Sequence, residues 1–333
     1  MNNNEQVFTE MMTTDSEFSK LLHKVARAYY DDGLTQQQIG ERFGLSRVKV
    51  SRLLRSAREE KIVQITIAPP QSSNAEVEQR LEQRYGLKEA LVVTPSSYAS
   101  ETLISELGPV AAACLMRGLQ DDEVVAVSWG KAVLSVVDAL QPVSLPDVRV
   151  VQLIGGLGEL EARTHGADLA RRLAQTLGAK PRLIHAPGIV KDKAIRDALV
   201  MDSQVADTLE LAGQANVALV GLGTCEAGST LLASRDTLTT GEVLELRALG
   251  VVGDIALQFF GRDGRKVNHP IHDRIVGTAL ETIRSIPRVI GVAAGMEKIA
   301  VIRAALCGGL VNVLVTDDQT TSLLLDARGT RAN

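Results

Sequence analysis

LTQQQIGERFGLSRVKVSRLLRSAR, residues 34–58, reads as two short helices joined by a tight turn, the second with a basic outer face. Thr35 and Gln38 have the spacing of a capping box, so a helix starts at Thr35. Ile39 and Phe43 give that helix an apolar side, Gly44 permits the turn, and Ser46 suits the N-cap of a second helix. On the second helix Val50, Leu53, Leu54 and Ala57 fall at i, i+3, i+4, i+7, a core-facing stripe. Val48, Arg52 and Arg55 then face outward, with Lys49 and Ser51 on the flanks and Arg47 in the first turn.

This is the outline of a helix-turn-helix, in which a few side chains near a helix N-terminus read base edges while cations hold phosphates. Arg47, Lys49 and Ser51 are assigned to base edges, and Arg52 and Arg55 mainly to phosphates. Thr35, Gln36 and Ser46 complete the candidate DNA-binding set. The competing reading is a plain helical hairpin with a solvated charged face.

The rest of the first 75 residues supports the DNA reader. Phe18 to Tyr30 carries Leu21, Leu22, Val25, Ala26 and Tyr29 at helical spacing, a support helix ended by Asp31-Asp32-Gly33. After Arg58, Val63, Ile65 and Ile67 alternate with polar residues before Pro69-Pro70, a strand pattern that suits the wing of a winged helix-turn-helix. From Glu17 to Ile62 there are ten Lys or Arg against six Asp or Glu, a net +4, which leaves −8 on the remainder of a chain whose total is −4. A small basic module on a larger acidic body fits sequence-specific DNA binding joined to a second task. The expected organisation is a disordered tail over 1–16, a DNA-binding domain over 17–68, a linker over 69–75 and an effector and oligomerisation domain over 76–330.

Bulk properties narrow the class. The 333 residues allow two or three domains. An aromatic content of 3% leaves the core to aliphatic residues and disfavours single-strand stacking platforms. Cys114, Cys225 and Cys307 are odd in number and widely spaced, which suggests neither a disulfide framework nor a zinc knuckle and fits a reducing cytoplasm. The N-terminus lacks an apolar signal region, and no stretch approaches the ~18 apolar residues of a membrane span. A cytoplasmic protein without membrane partners is expected.

From Glu76 onward short apolar runs (ALVV, VVAVSW, VRVVQLIGG, PRLIHAP, NVALVGLG, VVGDIALQFFG, RVIGVAAG, VNVLVTD) alternate with helical patterns. Such alternation means an α/β domain, a mostly parallel, Rossmann-like sheet covered on both faces. Ligands of these sheets sit at the carboxyl ends of the strands. The candidate strand-end residues are Ser128, Gly130 and Lys131; Gly155 and Gly156; Gly221 and Gly223; Asp254; Gly295 and Lys298. None of these runs is a Walker A loop or a full dinucleotide fingerprint, so no nucleotide cofactor is expected. Lys131 and Lys298 each sit just inside a helix that follows a strand, where a lysine adds charge to amides directed at a phosphate; either is equally a surface lysine. Asp254 is an acceptor for sugar hydroxyls or a turn aspartate.

Two blocks together resemble the SorC family of bacterial transcriptional regulators, sugar-binding regulators of the SorC and DeoR type. One is LTQQQIGERFGLSRVKVSRLLRSAREEKIVQITI. The other is spread through SWGKAV, VVQLIGG, ALVGLGT, GVVGDIALQFFGRDGRKVN, RVIGVAAGMEKIAVIRAAL and VNVLVTDDQTTSLLL. The resemblance implies an effector domain related to sugar-phosphate isomerases and used as a sensor, a phosphorylated sugar or polyol as effector, and a homodimer or homotetramer on operator double-stranded DNA. By motif, it maps the phosphate-binding loops onto Ser128 to Lys131 and Gly295 to Lys298, with Asp254 in the acidic position and Asp317 in the TD motif. Ala132 stands where many relatives carry a hydroxyl residue, which bears on whether the effector is phosphorylated.

Two other chemistries have a foothold in the sequence. His269 and His272 have H-x-x-H spacing, but Pro270 lies between them and nothing nearby completes a metal site, so a structural turn is the better reading of NHPIH. His23, His165 and His185 are isolated, and there is no G-x-S-x-G elbow. An isomerase or deaminase-type enzyme remains the main alternative, with Asp254 as base but no identifiable acid-base partner. A large domain that only oligomerises is the third. No catalytic residue, metal or cofactor is assigned.

Overall fold

The computed structural model describes residues 3–65, 74–157, 166–225 and 238–326, with the backbone alone over 3–16. The chain divides into two compact units, 1–69 and 70–333.

The first unit is a three-helix cluster of α1 (Asn3–Tyr30), α2 (Gln36–Phe43) and α3 (Arg47–Glu59). Leu22, Val25, Ala26 and Ala28 of α1 meet Ile39 of α2 and Val50, Leu53, Leu54 and Ala57 of α3 in one buried core. The support helix is therefore present, and the stripe on α3 is buried as its spacing requires. Helix α1 starts at Asn3, and no Gly or Pro occurs in the chain before Gly33.

The expected wing takes another form where it is described. Lys61 adopts a left-handed φ of 57°, the chain turns back, and the Val63 N–H donates to Ala57 O at 3.0 Å rather than to a neighbouring strand. Ile62 and Val63 lie half-buried against the helical core, and no strand forms over 60–65. Ile67, the proline pair and most of the expected linker fall outside the described residues.

The second unit follows the alternation read from its apolar runs. Its elements are α4 (Ala75–Tyr85), β1 (Glu89–Val93), α5 (Ser100–Gly118), β2 (Val124–Val127), α6 (Lys131–Ala139), β3 (Arg149–Gln152) and α7 (Gly166–Leu177). There follow β4 (Lys180–Arg182), α8 (Lys193–Met201), α9 (Ser203–Gly213), β5 (Val217–Gly221), β6 (Gly223–Thr224) and α10 (Thr240–Ala248). The last are β7 (Val251–Ile255), β8 (Gln258–Gly261), α11 (Leu280–Ser285), β9 (Arg288–Val292), α12 (Ile299–Cys307), β10 (Val313–Asp317) and α13 (Asp318–Asp326).

Seven strands form an all-parallel sheet in the order β1-β10-β9-β5-β2-β3-β4. Its two faces are buried in separate apolar layers: Val124 and Ala126 of β2 point into one, Val125 and Val127 into the other. Helices α5, α6 and α7 cover the second layer. From β2 the chain steps outward to β3 and β4, then returns to β5 on the other side of β2 and continues to β9 and β10. The order reverses between β2 and β5, and a doubly wound sheet opens its ligand crevice at that switch, beyond the strands' carboxyl ends.

One apolar run departs from the simple reading. VVGDIALQFFG is two antiparallel strands, β7 and β8, and β7 also pairs with β6 to give a separate three-stranded sheet in the order β6-β7-β8. The turn between them is Ala256-Leu257, with φ of 49° and 61°. Neither residue is the Asn or Gly that marks such a turn, so sequence pattern does not announce it. Asp254 holds it, accepting the Leu257 N–H on Oδ2 at 2.9 Å. Burial of Leu257, Phe259 and Phe260 offsets the strain, on the order of 1–2 kcal/mol for each left-handed residue.

Candidate functional site

In the first unit the turn is built as its sequence specifies. Thr35 Oγ1 accepts the Gln38 N–H at 3.3 Å, and Gln38 Oε1 accepts the Thr35 N–H at 2.9 Å, closing the capping box. Gly44 takes a φ of 67°, and Ser46 Oγ accepts the Lys49 N–H at 3.2 Å. Sequence reasoning missed Gly40, where a Cβ would meet Leu45 O at 2.5 Å: only glycine lets the turn pass this close to α2.

Burying Val50, Leu53, Leu54 and Ala57 leaves Arg47, Lys49, Ser51, Arg52 and Arg55 exposed along the outer side of α3. Thr35 and Ser46 are exposed and serve as caps, and Gln36 is half-buried. Arg47, Lys49, Arg52 and Arg55 form no ion pair among the described residues. They remain available to an anionic partner.

In the second unit the switch point gathers several of the strand-end residues. Ser128, at the end of β2, is buried; its Oγ accepts the Gly221 N–H at 3.2 Å and its own N–H donates to Leu219 O at 3.0 Å, tying β2 to β5. Gly130 follows with φ 112° and starts α6, whose first residue Lys131 is exposed. Gly295, after β9, has nearly the same backbone, with φ 103°. Both turns need glycine at that point, and each leads into a helical start.

Asp254 and Lys298 converge beside Gly223. Lys298 Nζ donates to Leu222 O at 2.7 Å, between β5 and β6. Asp254 is fully enclosed, and its Oδ1 has no partner among the described residues. Burial pushes its carboxyl up to about 6, against the Leu257 amide and the Lys298 charge, which act the other way. Burial likewise pulls the Lys298 ammonium below the usual lysine range, partly offset by Asp254 and then Glu297. A buried carboxyl with one free oxygen and a half-buried ammonium make a polar site able to hold hydroxyl and anionic groups.

Other expected residues have their polar atoms engaged within the chain. Gly155 N–H donates to Val276 O at 3.0 Å and Gly156 N–H to Ala186 O at 2.9 Å, so these amides fasten neighbouring loops. Asp317 accepts from Gly295 N at 2.9 Å and Thr320 N at 2.8 Å, and also from the Thr320 hydroxyl. It ties the loop after β9 to the start of α13. Gln152 and Thr278 were missed by sequence reasoning: both are buried, and Gln152 Nε2 and Thr278 Oγ1 lack partners among the described residues. The one available signal was a glutamine inside the apolar run VVQLIGG.

The histidine pair is a turn. His269 Nδ1 accepts the Ile271 N–H at 3.1 Å and its Nε2 lies 3.0 Å from Glu245 Oε2. Burial, then the charges of Lys266 and His269, lower His272 to about 4, and its ring lies edge-on to Phe259. Arg274 pairs with Glu242, so Glu242 and Glu245 fasten α10 to this turn.

A helix-turn-helix with free cations and a doubly wound sheet with a polar switch-point site together define a transcriptional regulator with a small-molecule domain. The family of sugar-binding domains, Sugar-bind, matches residues 70–326, and Sigma-70, region 4, matches residues 23–60. The chain belongs to the SorC family of transcriptional regulators. The deoxyribonucleoside regulator of Bacillus subtilis (strain 168) is 32% identical, covering 94% of this chain and 99% of that protein. The sorbitol operon regulator of Klebsiella pneumoniae is 33% identical over 93% of this chain and 99% of its own length. The crystal structure of full-length SorC from Klebsiella pneumoniae superposes with a TM-score of 0.72 at 33% identity, covering 92% of this chain and 99% of that one. These relatives are regulators, which decides against the isomerase or deaminase reading. No described helix is long and apolar enough to cross a membrane.

Proposed function

We propose that this regulator controls a carbohydrate or polyol catabolic operon, reading operator DNA with α3 and sensing a sugar phosphate at the β2–β5 switch point. The observation that carries the sensor reading is the buried Asp254 with an unpartnered Oδ1, set beside Lys298. In this reading Asp254 accepts a sugar hydroxyl and Lys298 faces the anionic part. The backbone of the Gly130 and Gly295 turns, with Lys131, completes the phosphate side. Ser128, Gly155, Gly156, Gly221, Gly223 and Asp317 hold these groups in place. Relatives named for deoxyribonucleoside and sorbitol regulation support the sugar or polyol class.

A homodimer or homotetramer presents paired α3 helices to an inverted repeat, with half-sites separated by whole helical turns. Effector and operator are coupled through a binding free energy, so an effector that lowers operator affinity is itself bound more weakly by the DNA complex.

The test begins with duplexes enriched by the full-length protein from a random-sequence pool. Sugar phosphates and the corresponding free sugars are then screened for thermal stabilisation of the protein and for altered binding to the enriched duplex. A phosphorylated sugar active in both assays, with its free counterpart at least tenfold weaker, is the expected result. Activity of the free sugar alone transfers the proposal to an unphosphorylated effector, in keeping with Ala132; inactivity of every sugar and sugar phosphate defeats the sensor reading.

A further inference from the structure

The outer face of α3 carries one side chain that neither the core nor phosphate binding explains. Val48, in the first turn of the helix, is 63% exposed, whereas Val50, Leu53, Leu54 and Ala57 are buried. A β-branched residue loses χ1 freedom on a helix, a cost that packing contacts offset. An exposed position in α3 is better served by Ala, Gln or Lys. Single exposed apolar residues are ordinary on protein surfaces, so exposure alone decides nothing. Position does: Val48 stands between Arg47 and Lys49 and one turn before Ser51 and Arg52, at i+3 and i+4 on the same side of the helix.

A recognition helix meets base edges through its N-terminal residues. Along the major-groove edge hydrogen-bonding groups dominate, and the apolar feature is the C5-methyl of thymine. We propose that Val48 is a specificity-determining residue that contacts a thymine methyl in each operator half-site. The proposal rests on the DNA-reading role of α3 and adds to it a contact without charge. Arg52 and Arg55 set affinity and its salt dependence, while Val48 sets sequence preference at one base pair.

The experiment uses the full-length protein and its enriched duplex, with each thymine replaced in turn by deoxyuridine, which lacks only the C5-methyl. Wild-type protein is expected to bind about fourfold more weakly when one particular thymine of a half-site is replaced, the equivalent of one buried methyl group. Val48→Ala is expected to bind both forms equally at that position, with its responses elsewhere and its salt slope unchanged. Alanine is the better helix former at an exposed site, and an unchanged thermal midpoint confirms the fold. A wild-type protein indifferent to every deoxyuridine overturns the proposal, as does a Val48→Ala protein that retains the penalty at the same position. A variant whose association state changes while its deoxyuridine responses persist also overturns it and assigns Val48 to a protein contact. Failure to enrich any sequence is a different result and defeats the DNA-reading role itself.

Discussion

Gly223 lies directly over the carboxyl of Asp254: a Cβ at position 223 would overlap Asp254 Oδ1, the oxygen that has no partner among the described residues. The two residues are also paired in register between β6 and β7. A glycine read from sequence as a strand-end ligand residue is thus the cover of a buried acid.

Gly223→Ala should therefore displace Asp254 or part β6 from β7. The expected outcome is a stability loss of about 1–3 kcal/mol, typical of overpacking, with effector response abolished and operator binding in the first unit retained. Urea denaturation beside a DNA-binding titration checks it. An alanine variant with full effector response contradicts the placement of the ligand beside Asp254.

Asp254→Asn tests the burial of the acid through pH. The carboxyl rises from 3.8 to about 6 in the fold. A group with a raised folded pKa contributes its stability fully below the unfolded value and loses it as pH rises through the folded one. Wild type should accordingly lose roughly 2 kcal/mol relative to Asp254→Asn between pH 4 and pH 7, an order-of-magnitude figure. Denaturation midpoints of both proteins at four pH values measure this; a constant difference refutes it.

Lys298→Ala removes the donor to Leu222 O and the cation that restrains Asp254. Effector affinity should fall at least tenfold while operator affinity without effector stays the same, as measured by calorimetry and a DNA-binding assay. Release of DNA at the wild-type effector concentration places the ligand elsewhere.

Arg47→Ala and Arg52→Ala separate the two kinds of contact on α3. The first should cost ~1–3 kcal/mol and relax preference at one operator position. The second should weaken all sequences alike and reduce the salt slope by about one. Binding titrations over a range of salt concentrations, on the enriched duplex and on unrelated DNA, distinguish them; equal weakening of all sequences by Arg47→Ala reassigns it to phosphate.

How much was legible depended on the distance over which each feature is determined. The capping box at Thr35, the turn at Gly44, the cap at Ser46 and the stripe from Val50 to Ala57 lie within 25 residues, each fixed by neighbours a turn away. The alternation of strands and helices was equally readable, because period and run length are local. The Ala256-Leu257 turn was not: its signal is an acid two residues upstream whose carboxylate replaces the usual glycine.

The sequence by itself determined a helix-turn-helix joined to a parallel α/β domain, and it marked Gly130, Lys131, Asp254, Gly295 and Lys298 as strand-end chemistry. Only the tertiary structure decided which of these meet and what each does. Strand order brings Ser128 to Gly221, although they lie 93 positions apart, and folding places Lys298 on Leu222 and Gly223 over Asp254. It also engages the amides of Gly155 and Gly156 and the carboxylate of Asp317 within the fold. The physical reason is that a residue's type fixes which bonds it can make, while burial and long-range pairing fix which partners reach it and whether an acceptor is left for a ligand.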